Sequence, residues 1–95
     1  MATLSEAEIS EKLQHLPGWS RAGGNIERQF SFKSFLPAMA FVNRVAEAAE
    51  RGNHHPDITI KYNRVTMALC THSAGGITQK DFDLAHQINR LESIS

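Results

Sequence analysis

Two histidines stand side by side near the middle of this chain, and a third lies further along it. His54 and His55 directly precede Pro56, and His72 follows in a later polar segment. Histidine is the side chain whose ordinary titration falls nearest neutral pH, so clustered imidazoles can both donate and accept protons. The proline restricts the backbone of the residue before it, which favours a defined placement of the pair. These three imidazoles are the first candidates for a site.

Three interpretations of the histidines are compatible with their spacing. Acid–base catalysis on a neutral heteroatom substrate would use one imidazole as proton donor and another as acceptor. A metal site with three histidine ligands is a second possibility, although adjacent residues seldom both reach one ion and no helical H-x-x-x-H or H-E-x-x-H spacing is present. The third is that the histidines only terminate a hairpin. The pattern favours acid–base chemistry over the other two.

Other residues with chemical potential are weaker candidates. Cys70 lies two positions before His72, so a thiol–imidazole nucleophile is conceivable. No third group is evident to orient the histidine, and a small half-buried side chain is the expected role of the cysteine. His15 and His86 are predicted to lie on helix surfaces.

The bulk composition limits the classes of function. The chain has 95 residues with 10 basic and 10 acidic side chains, which predicts one small domain over residues 1–95 with no net charge. Neither nucleic acid nor an anionic membrane is therefore expected as a direct partner. The single cysteine excludes an intramolecular disulfide and favours a reducing cytoplasm. No signal peptide or membrane span is visible.

The first and last helices are predicted from capping motifs. Residues 5–8 read Ser-Glu-Ala-Glu and residues 78–81 read Thr-Gln-Lys-Asp, and both runs resemble a capping box. Apolar residues at helical spacing follow each motif, which predicts helices over about residues 5–16 and 78–92. Asp81 is accordingly expected to serve first as a helix cap.

A longer central helix is predicted from Ser34 to the glycine at position 52. Ser34 is a plausible N-cap, and Gly52 is expected as the C′ residue that ends the helix. The carboxylate of Glu50 opposes the helix macrodipole at that end, which makes a functional role for it more credible. The alanine-rich stripe could pack against a sheet or a second copy of the chain, and consists of Phe35, Ala38, Met39, Val42, Val45, Ala46 and Ala49.

Two hairpins complete the predicted fold. Alternating apolar and polar residues indicate strands at 19–22 and 26–32 around Gly23-Gly24, and at 57–62 and 65–70. The order α-β-β-α-β-β-α predicts an α+β domain, in which a four-stranded antiparallel sheet has three helices packed on one face. An exposed sheet edge could pair with that of a second subunit.

The second hairpin leads to a prediction of register. If Asn63-Arg64 is the whole loop, Tyr62 pairs with Val65 and His55 lies directly opposite His72. Opposed residues share a face of the sheet, so these two imidazoles would meet at the open end of the hairpin.

The same register assigns the remaining residues of the hairpin to faces. His54 would point away from the other two histidines unless the segment from Gly52 to Pro56 is irregular, which the glycine and the proline favour. The set predicted to face the helices is Ile58, Ile60, Tyr62, Val65, Met67 and Leu69.

The combined spacing resembles a known family. The intervals that join Glu50, His54-His55-Pro56, Tyr62, His72 and Asp81 resemble those of the pterin-4a-carbinolamine dehydratase family. The run from Cys70 to Thr78 also looks like that family's segment around its third histidine. The resemblance extends over nearly the whole chain, including the order of its elements.

This resemblance implies an activity. The family removes water from 4a-hydroxytetrahydrobiopterin to form quinonoid dihydrobiopterin, which supports aromatic amino acid hydroxylases and needs no metal or organic cofactor. Family members are homodimers or homotetramers. The resemblance therefore implies a pterin substrate, a cytoplasmic homo-oligomer, and a hydroxylase or a regulatory protein as a further partner.

The resemblance also implies roles for individual residues. It assigns His54, His55 and His72 as the catalytic and pterin-binding imidazoles, with Glu50 and Asp81 in support. The positions that contact the pterin ring in the family correspond here to Asn53, Cys70 and Thr71. Two departures stand out, because animal members often carry aspartate where this chain has Asn53 and an aromatic residue where it has Ile58.

A second class of function remains open. Animal members of the family also act as a dimerisation cofactor for a homeodomain transcription factor, and relatives that lack the histidine set serve as assembly factors for a carbon-fixing enzyme. Retention of all three histidines favours the dehydratase, with a non-catalytic binding or assembly role as the alternative.

Overall fold

The computed structural model describes residues 2–93 and confirms the predicted α+β fold. The helices are α1 (Glu6–Leu13), α2 (Phe35–Gly52) and α3 (Gln79–Glu92); the strands are β1 (Ser20–Ala22), β2 (Asn25–Ser31), β3 (Asp57–Lys61) and β4 (Arg64–Leu69); a short 3-10 turn covers His72–Ala74. The strands form one antiparallel sheet in the order β1-β2-β4-β3. Within residues 2–93, no helix is long and apolar enough to cross a membrane.

One face of the sheet carries the hydrophobic core. Alternate residues of β2 and β4 are buried against the helices, because successive side chains of a strand point to opposite faces. The buried residues that the sheet and the helices contribute to this core include Ile9, Ile26, Phe30, Phe41, Val45, Val65, Met67, Leu69, Phe82, Ala85 and Ile88.

Both predicted capping boxes are present. Glu8 accepts a hydrogen bond from the Ser5 backbone N–H at 2.8 Å, and Ser5 Oγ accepts one from the Glu8 N–H at 3.1 Å. At the start of α3, Asp81 accepts from the Thr78 N–H at 2.9 Å, and the Thr78 hydroxyl accepts from the Lys80 N–H at 3.3 Å. The two boxes differ in burial, since Ser5 and Glu8 are exposed and Asp81 is fully buried.

The predicted end of α2 was wrong by one residue. Gly52 is still helical, and Asn53 is the residue with left-handed backbone geometry, at φ +48°. Asparagine tolerates this conformation better than other residues with a Cβ, so the glycine is not needed for it. The predicted apolar stripe also needs correction. Phe35 and Ala46 are exposed, whereas Phe41 and Ala48 are buried.

The predicted register of the second hairpin was wrong. Lys61 pairs with Arg64, so the turn consists of Tyr62 and Asn63, and Tyr62 has the positive φ of 53°. The reason is a non-local contact. Phe32 donates its N–H to the Asn63 carbonyl at 2.9 Å and accepts a bond from the Asn63 side chain at 2.8 Å. Asn63 therefore extends the pairing of β4 with β2, and the turn is displaced by one residue.

Strand β3 is an exposed edge, which corrects a second part of the prediction. Ile58 pairs with Met67 and Ile60 with Val65, so both lie on the predicted face of the sheet, but the whole strand is exposed and neither residue belongs to the core. Tyr62 is 66% exposed. The unpaired side of β3 is thus available for contact, together with the exposed apolar side chains of Phe35 and Leu36 at the start of α2.

Candidate active site

An irregular segment positions the two adjacent histidines. The left-handed Asn53 reverses the chain after α2, and the His54 N–H donates to the Ala49 carbonyl at 3.1 Å. Residues 54–56 have no regular structure before β3 begins at Asp57. Because the segment is not an extended strand, the two side chains are not forced to opposite faces. The sequence predicted that His54 could join the other two histidines only if this segment were irregular, and the segment is irregular.

All three predicted imidazoles line one cavity of about 320 Å3. The predicted pterin contacts Asn53, Cys70 and Thr71 line it as well, and two further lining residues are Ser73 and Lys80. Ser73 and Lys80 were not predicted from the sequence, although Ser73 follows the predicted His72 and Lys80 precedes the predicted Asp81. The cavity lies between the end of α2, the end of β4 and the start of α3. As predicted, the histidines lie together, but His55 and His72 are not directly opposite each other on paired strands.

His54 is anchored in the interior of the protein. Its Nε2 lies 2.5 Å from Asp81 Oδ1, and the side chains are 12% and 0% exposed. A carboxylate can only accept a hydrogen bond, so Nε2 carries a proton, and in the neutral form of the ring Nδ1 is an acceptor. Asp81 was expected as a helix cap, and the structure gives it this second contact as well.

A chain of hydroxyl groups holds Asp81 in place. The Thr71 hydroxyl donates to Asp81 Oδ2 at 2.9 Å and lies 2.8 Å from the Thr78 hydroxyl. Since the single proton of Thr71 is used on Asp81, Thr78 must be the donor between the two threonines. Both threonines are buried. The orientation of His54 is therefore fixed by partners that water does not reach.

His55 has a similar partner at the surface. Its Nε2 lies 2.5 Å from Glu50 Oε2, with side chains that are 53% and 77% exposed. Glu50 lies on the last turns of α2, and the chain reversal at Asn53 brings His55 back beside it. The sequence suggested a functional role for Glu50 because a carboxylate is unfavourable at the end of a helix, and in the structure this carboxylate contacts one of the candidate histidines.

His72 lines the cavity from the short 3-10 turn. The turn is closed by the pairing of Thr71 with Gly76 and by Gly75, whose φ of +77° suits glycine. The ring nitrogens of His72 lie 3.7 and 3.8 Å from Cys70 Sγ. Within residues 2–93 it has no carboxylate partner, and its exposed ring contacts the Cys70 thiol alone among the described side chains.

The surroundings of Cys70 do not favour a thiolate nucleophile. Burial raises the pKa of the Cys70 thiol, and the carboxylates of Asp81 and Asp57 raise it further. A thiol that stays protonated near neutral pH is a poor nucleophile. The two remaining histidines do not line this cavity: His15 is exposed beside Glu11, at 3.1 Å, and His86 lies on α3.

The arrangement is suited to proton transfer. Three imidazoles surround one space, and two of them are held by carboxylates, so donors and acceptors of protons lie within reach of the same small ligand. In the described part of the chain, no three His, Cys, Asp or Glu side chains are grouped so that they could hold a metal ion.

Known proteins resemble the chain over its whole length. The sequence profile of the family described as Pterin 4 alpha carbinolamine dehydratase matches residues 2–91. A relative from Thermomicrobium roseum is 56% identical over 98% of this chain and 100% of its own length. Another, from Acidobacterium capsulatum, is 55% identical over 96% of this chain and 99% of its own. Both are provisionally named pterin-4-alpha-carbinolamine dehydratases.

Two solved structures share the fold. The crystal structure of a transcriptional coactivator/pterin dehydratase from Brucella melitensis is similar with a TM-score of 0.91 and 38% identity, over 95% of this chain and 98% of that one. A pterin dehydratase-like protein, described as a RuBisCO assembly factor in the alpha-carboxysome, has a TM-score of 0.68 and 21% identity over 82% of this chain and 93% of that one, which shows the fold alone. With the profile match and the full-length relatives, these similarities identify the chain as a member of the pterin 4 alpha carbinolamine dehydratase family.

Proposed function

We propose that this protein removes water from 4a-hydroxytetrahydrobiopterin to form quinonoid dihydrobiopterin. The observation that carries the proposal is the convergence of His54, His55 and His72 on one cavity in a chain that belongs to a dehydratase family. The family and its relatives support a dehydratase, that is, a hydro-lyase. The product would be recycled to the pterin cofactor of aromatic amino acid hydroxylases, so the protein would serve tetrahydrobiopterin biosynthesis and recycling in the cytoplasm.

The proposed mechanism moves two protons. A protonated imidazole gives its proton to the 4a-hydroxyl oxygen, the C4a–O bond breaks, and water leaves. A neutral imidazole accepts the proton of N5 as the electron pair of that N–H bond forms the C4a=N5 double bond. General acid–base assistance of this kind contributes about 10²- to 10⁴-fold to a rate. No metal or organic cofactor takes part in the proposed steps.

The site residues divide by role in this proposal. His54, His55 and His72 act on the substrate, while Asn53, Cys70 and Thr71 contact the pterin ring. Asp81 and Glu50 are positioning residues, since each is 2.5 Å from an imidazole nitrogen and neither lines the cavity itself. His54, held by Asp81, and His72, which has no carboxylate partner within residues 2–93, reach the cavity from different segments of the chain, and the planar ring would bind between them.

The test is dehydration by the purified, chelator-treated protein, followed by the absorbance of the quinonoid product. We expect a rate well above spontaneous dehydration that falls by about 100-fold or more in His54→Ala and in His72→Ala. His15→Ala is the matched control, because it removes the same ring from an exposed position outside the cavity. Circular dichroism of each variant would show that the fold is retained.

Other outcomes would lead to other functions. Loss of activity on chelation, with recovery on adding a divalent metal, would favour the metal site instead. No dehydration by the intact protein would favour the alternative, a non-catalytic assembly or transcriptional-cofactor module that keeps the histidine site. The mixed name of the Brucella melitensis structure, coactivator and dehydratase, is the observation that keeps this alternative in view.

We also propose that the protein is a homodimer or homotetramer. Edge strand β3 has an unpaired side, and the exposed Ile58, Ile60 and Tyr62 lie along it or at its end. Pairing of two such edges would cover apolar surface and satisfy backbone groups. Light scattering should give a multiple of the 10.6 kDa chain mass. A monomer at micromolar concentration would contradict the proposal.

A further inference from the structure

A second and larger cavity adjoins the candidate active site. Its volume is about 480 Å3, and Cys70 and His72 line both cavities, so these two side chains form the wall between them. The rest of its lining comes from the segment before and within α1, from the β1–β2 hairpin and from the loop before α3. None of the proposed catalytic steps uses this space.

The charges in the second cavity cancel. Arg21 Nη1 lies 2.6 Å from Glu6 Oε1, and Arg21 Nε donates to the Gly23 carbonyl at 2.9 Å. Among residues 2–93, Glu6 and Arg21 are the only carboxylate and guanidinium in the lining. A cavity whose opposite charges are already paired gives no net attraction to a phosphate or a carboxylate. The occupant that fits best is therefore a neutral group.

The lining offers hydrogen bonds and a narrow apolar floor. Asn25 is half-buried, and its side-chain amide has no hydrogen-bond partner within residues 2–93, which leaves two donors and one acceptor free. Thr3 lines the same space, and Ile9 and Ile77 supply buried apolar surface. A short carbon chain with hydroxyl groups would match both properties.

The chemistry of the pterin ring places its substituent near the shared wall. In the proposed reaction the bonds change at C4a and N5, and N5 is bonded directly to C6. The first atom of a substituent on C6 is therefore only two bonds from a reacting atom. Since His72 borders both spaces, a ring whose N5 lies near the imidazoles could direct the C6 substituent past His72 into the second cavity.

We infer that the second cavity is a specificity subsite that binds a neutral, hydroxylated C6 substituent of the pterin. This inference rests on the proposed function, because it assumes a pterin in the first cavity. The subsite would favour pterins with a polyol side chain over those with a simple methyl group. Asn25 is its specificity-determining residue.

The test measures binding of stable, oxidised pterins by their fluorescence. We expect wild-type protein to bind biopterin about tenfold more tightly than 6-methylpterin, the equivalent of one or two hydrogen bonds. Asn25→Ala should weaken biopterin binding about three- to tenfold and leave 6-methylpterin binding unchanged. Asn43→Ala, at an exposed position of α2 outside both cavities, is the matched control.

A second variant and a second pair of ligands make the test decisive. Thr3→Trp should fill the subsite and weaken biopterin binding selectively, without depending on the hairpin around Asn25. Neopterin monophosphate carries an anionic phosphate group that neopterin lacks, and tighter binding of the phosphate would overturn the neutral subsite. Equal binding of biopterin and 6-methylpterin, with dehydration intact, would overturn the subsite alone. Failure to bind any pterin would overturn the subsite and the proposed function together.

Discussion

Helices α1 and α3 begin with the same capping motif in different surroundings. The box at α1, Ser5 and Glu8, is exposed and stabilises only its own helix. The box at α3 uses Asp81, which is fully buried and also holds His54 at 2.5 Å. The local geometry is alike in both. Burial is what turns the second box into part of a site, because a buried carboxylate must satisfy all of its hydrogen bonds within the protein.

The two histidine–carboxylate pairs show the same contrast within the cavity. His54–Asp81 and His55–Glu50 have equal distances of 2.5 Å. The first pair is enclosed and supported by Thr71 and the Thr78 backbone, while the second is open to water. We therefore expect the inner pair, His54–Asp81, to hold a fixed geometry. We expect the outer pair, His55–Glu50, to be weak and sensitive to salt.

The largest expected effect is that of Asp81→Asn on activity. The amide oxygen can still accept from Thr78 and Thr71, but the amide NH2 would donate toward His54 Nε2 and so require the other tautomer of that ring. We expect kcat to fall by about 100-fold or more, with the free energy of unfolding lowered by only about 1 kcal/mol. Initial rates and urea unfolding would measure the two effects.

The control for Asp81→Asn is Glu8→Gln, the same change of carboxylate to amide in the exposed capping box. Glu8→Gln should leave kcat unchanged. A similar loss of kcat in both variants would mean that helix capping, not the contact with His54, accounts for the role of Asp81.

Thr71→Val should have the next largest effect, on stability. The substitution keeps the shape of a buried side chain and removes the hydroxyl that joins Asp81 to Thr78. Leaving these buried groups short of a partner should lower the free energy of unfolding by about 1–3 kcal/mol, measured by urea denaturation. Thr59→Val, on the exposed strand β3, should change it little, and an equal loss there would contradict the importance of the buried network.

Glu50→Gln should have a smaller effect on activity. An exposed ion pair contributes about 0.2–1 kcal/mol, so kcat should fall by at most about fivefold. Because salt screens exposed charges, the difference between wild type and variant should narrow at high ionic strength. Rates at low and high salt would check this. A loss as large as that of Asp81→Asn would remove the distinction between the inner and outer pairs.

The smallest effect should be the pH dependence of the α1 cap. Hydrogen bonds from the Ser5 backbone and side chain hold the pKa of Glu8 below its ordinary value of 4.5. A carboxyl group with a lowered folded-state pKa stabilises the protein above its ordinary pKa, and that contribution is lost as pH falls through the lowered value. The stability difference between wild type and Glu8→Gln in thermal unfolding should therefore shrink as pH falls below 4.5 and vanish once pH has passed the lowered pKa. A constant difference down to low pH would contradict this cause.

The sequence predicted best what depends on neighbouring residues. Both capping boxes, the order of the elements and the Gly23-Gly24 hairpin are local features, and the structure confirms them. It predicted the second hairpin less well. The predicted loop was Asn63-Arg64, whereas the contacts of Asn63 with Phe32 on β2 place the turn at Tyr62 and Asn63.

The sequence predicted which residues form the candidate site, but not how they are arranged. The three histidines meet, although His55 and His72 do not oppose each other on paired strands. Glu50 and Asp81 were identified because each lies at a helix end. Their contacts with His55 and His54 could not be predicted from the sequence. Ser73 and Lys80 carried no signal beyond their position beside His72 and Asp81.

By itself, the sequence determined the secondary structure, the fold class and the identity of the titratable groups, because capping, periodicity and turn chemistry act over a few residues. The tertiary structure alone decided which carboxylates His54 and His55 bind and which of those two pairs is buried. It also decided that His72 and Cys70 separate two cavities. These properties depend on how distant segments pack and exclude water, and packing of that kind leaves no short-range pattern in the chain.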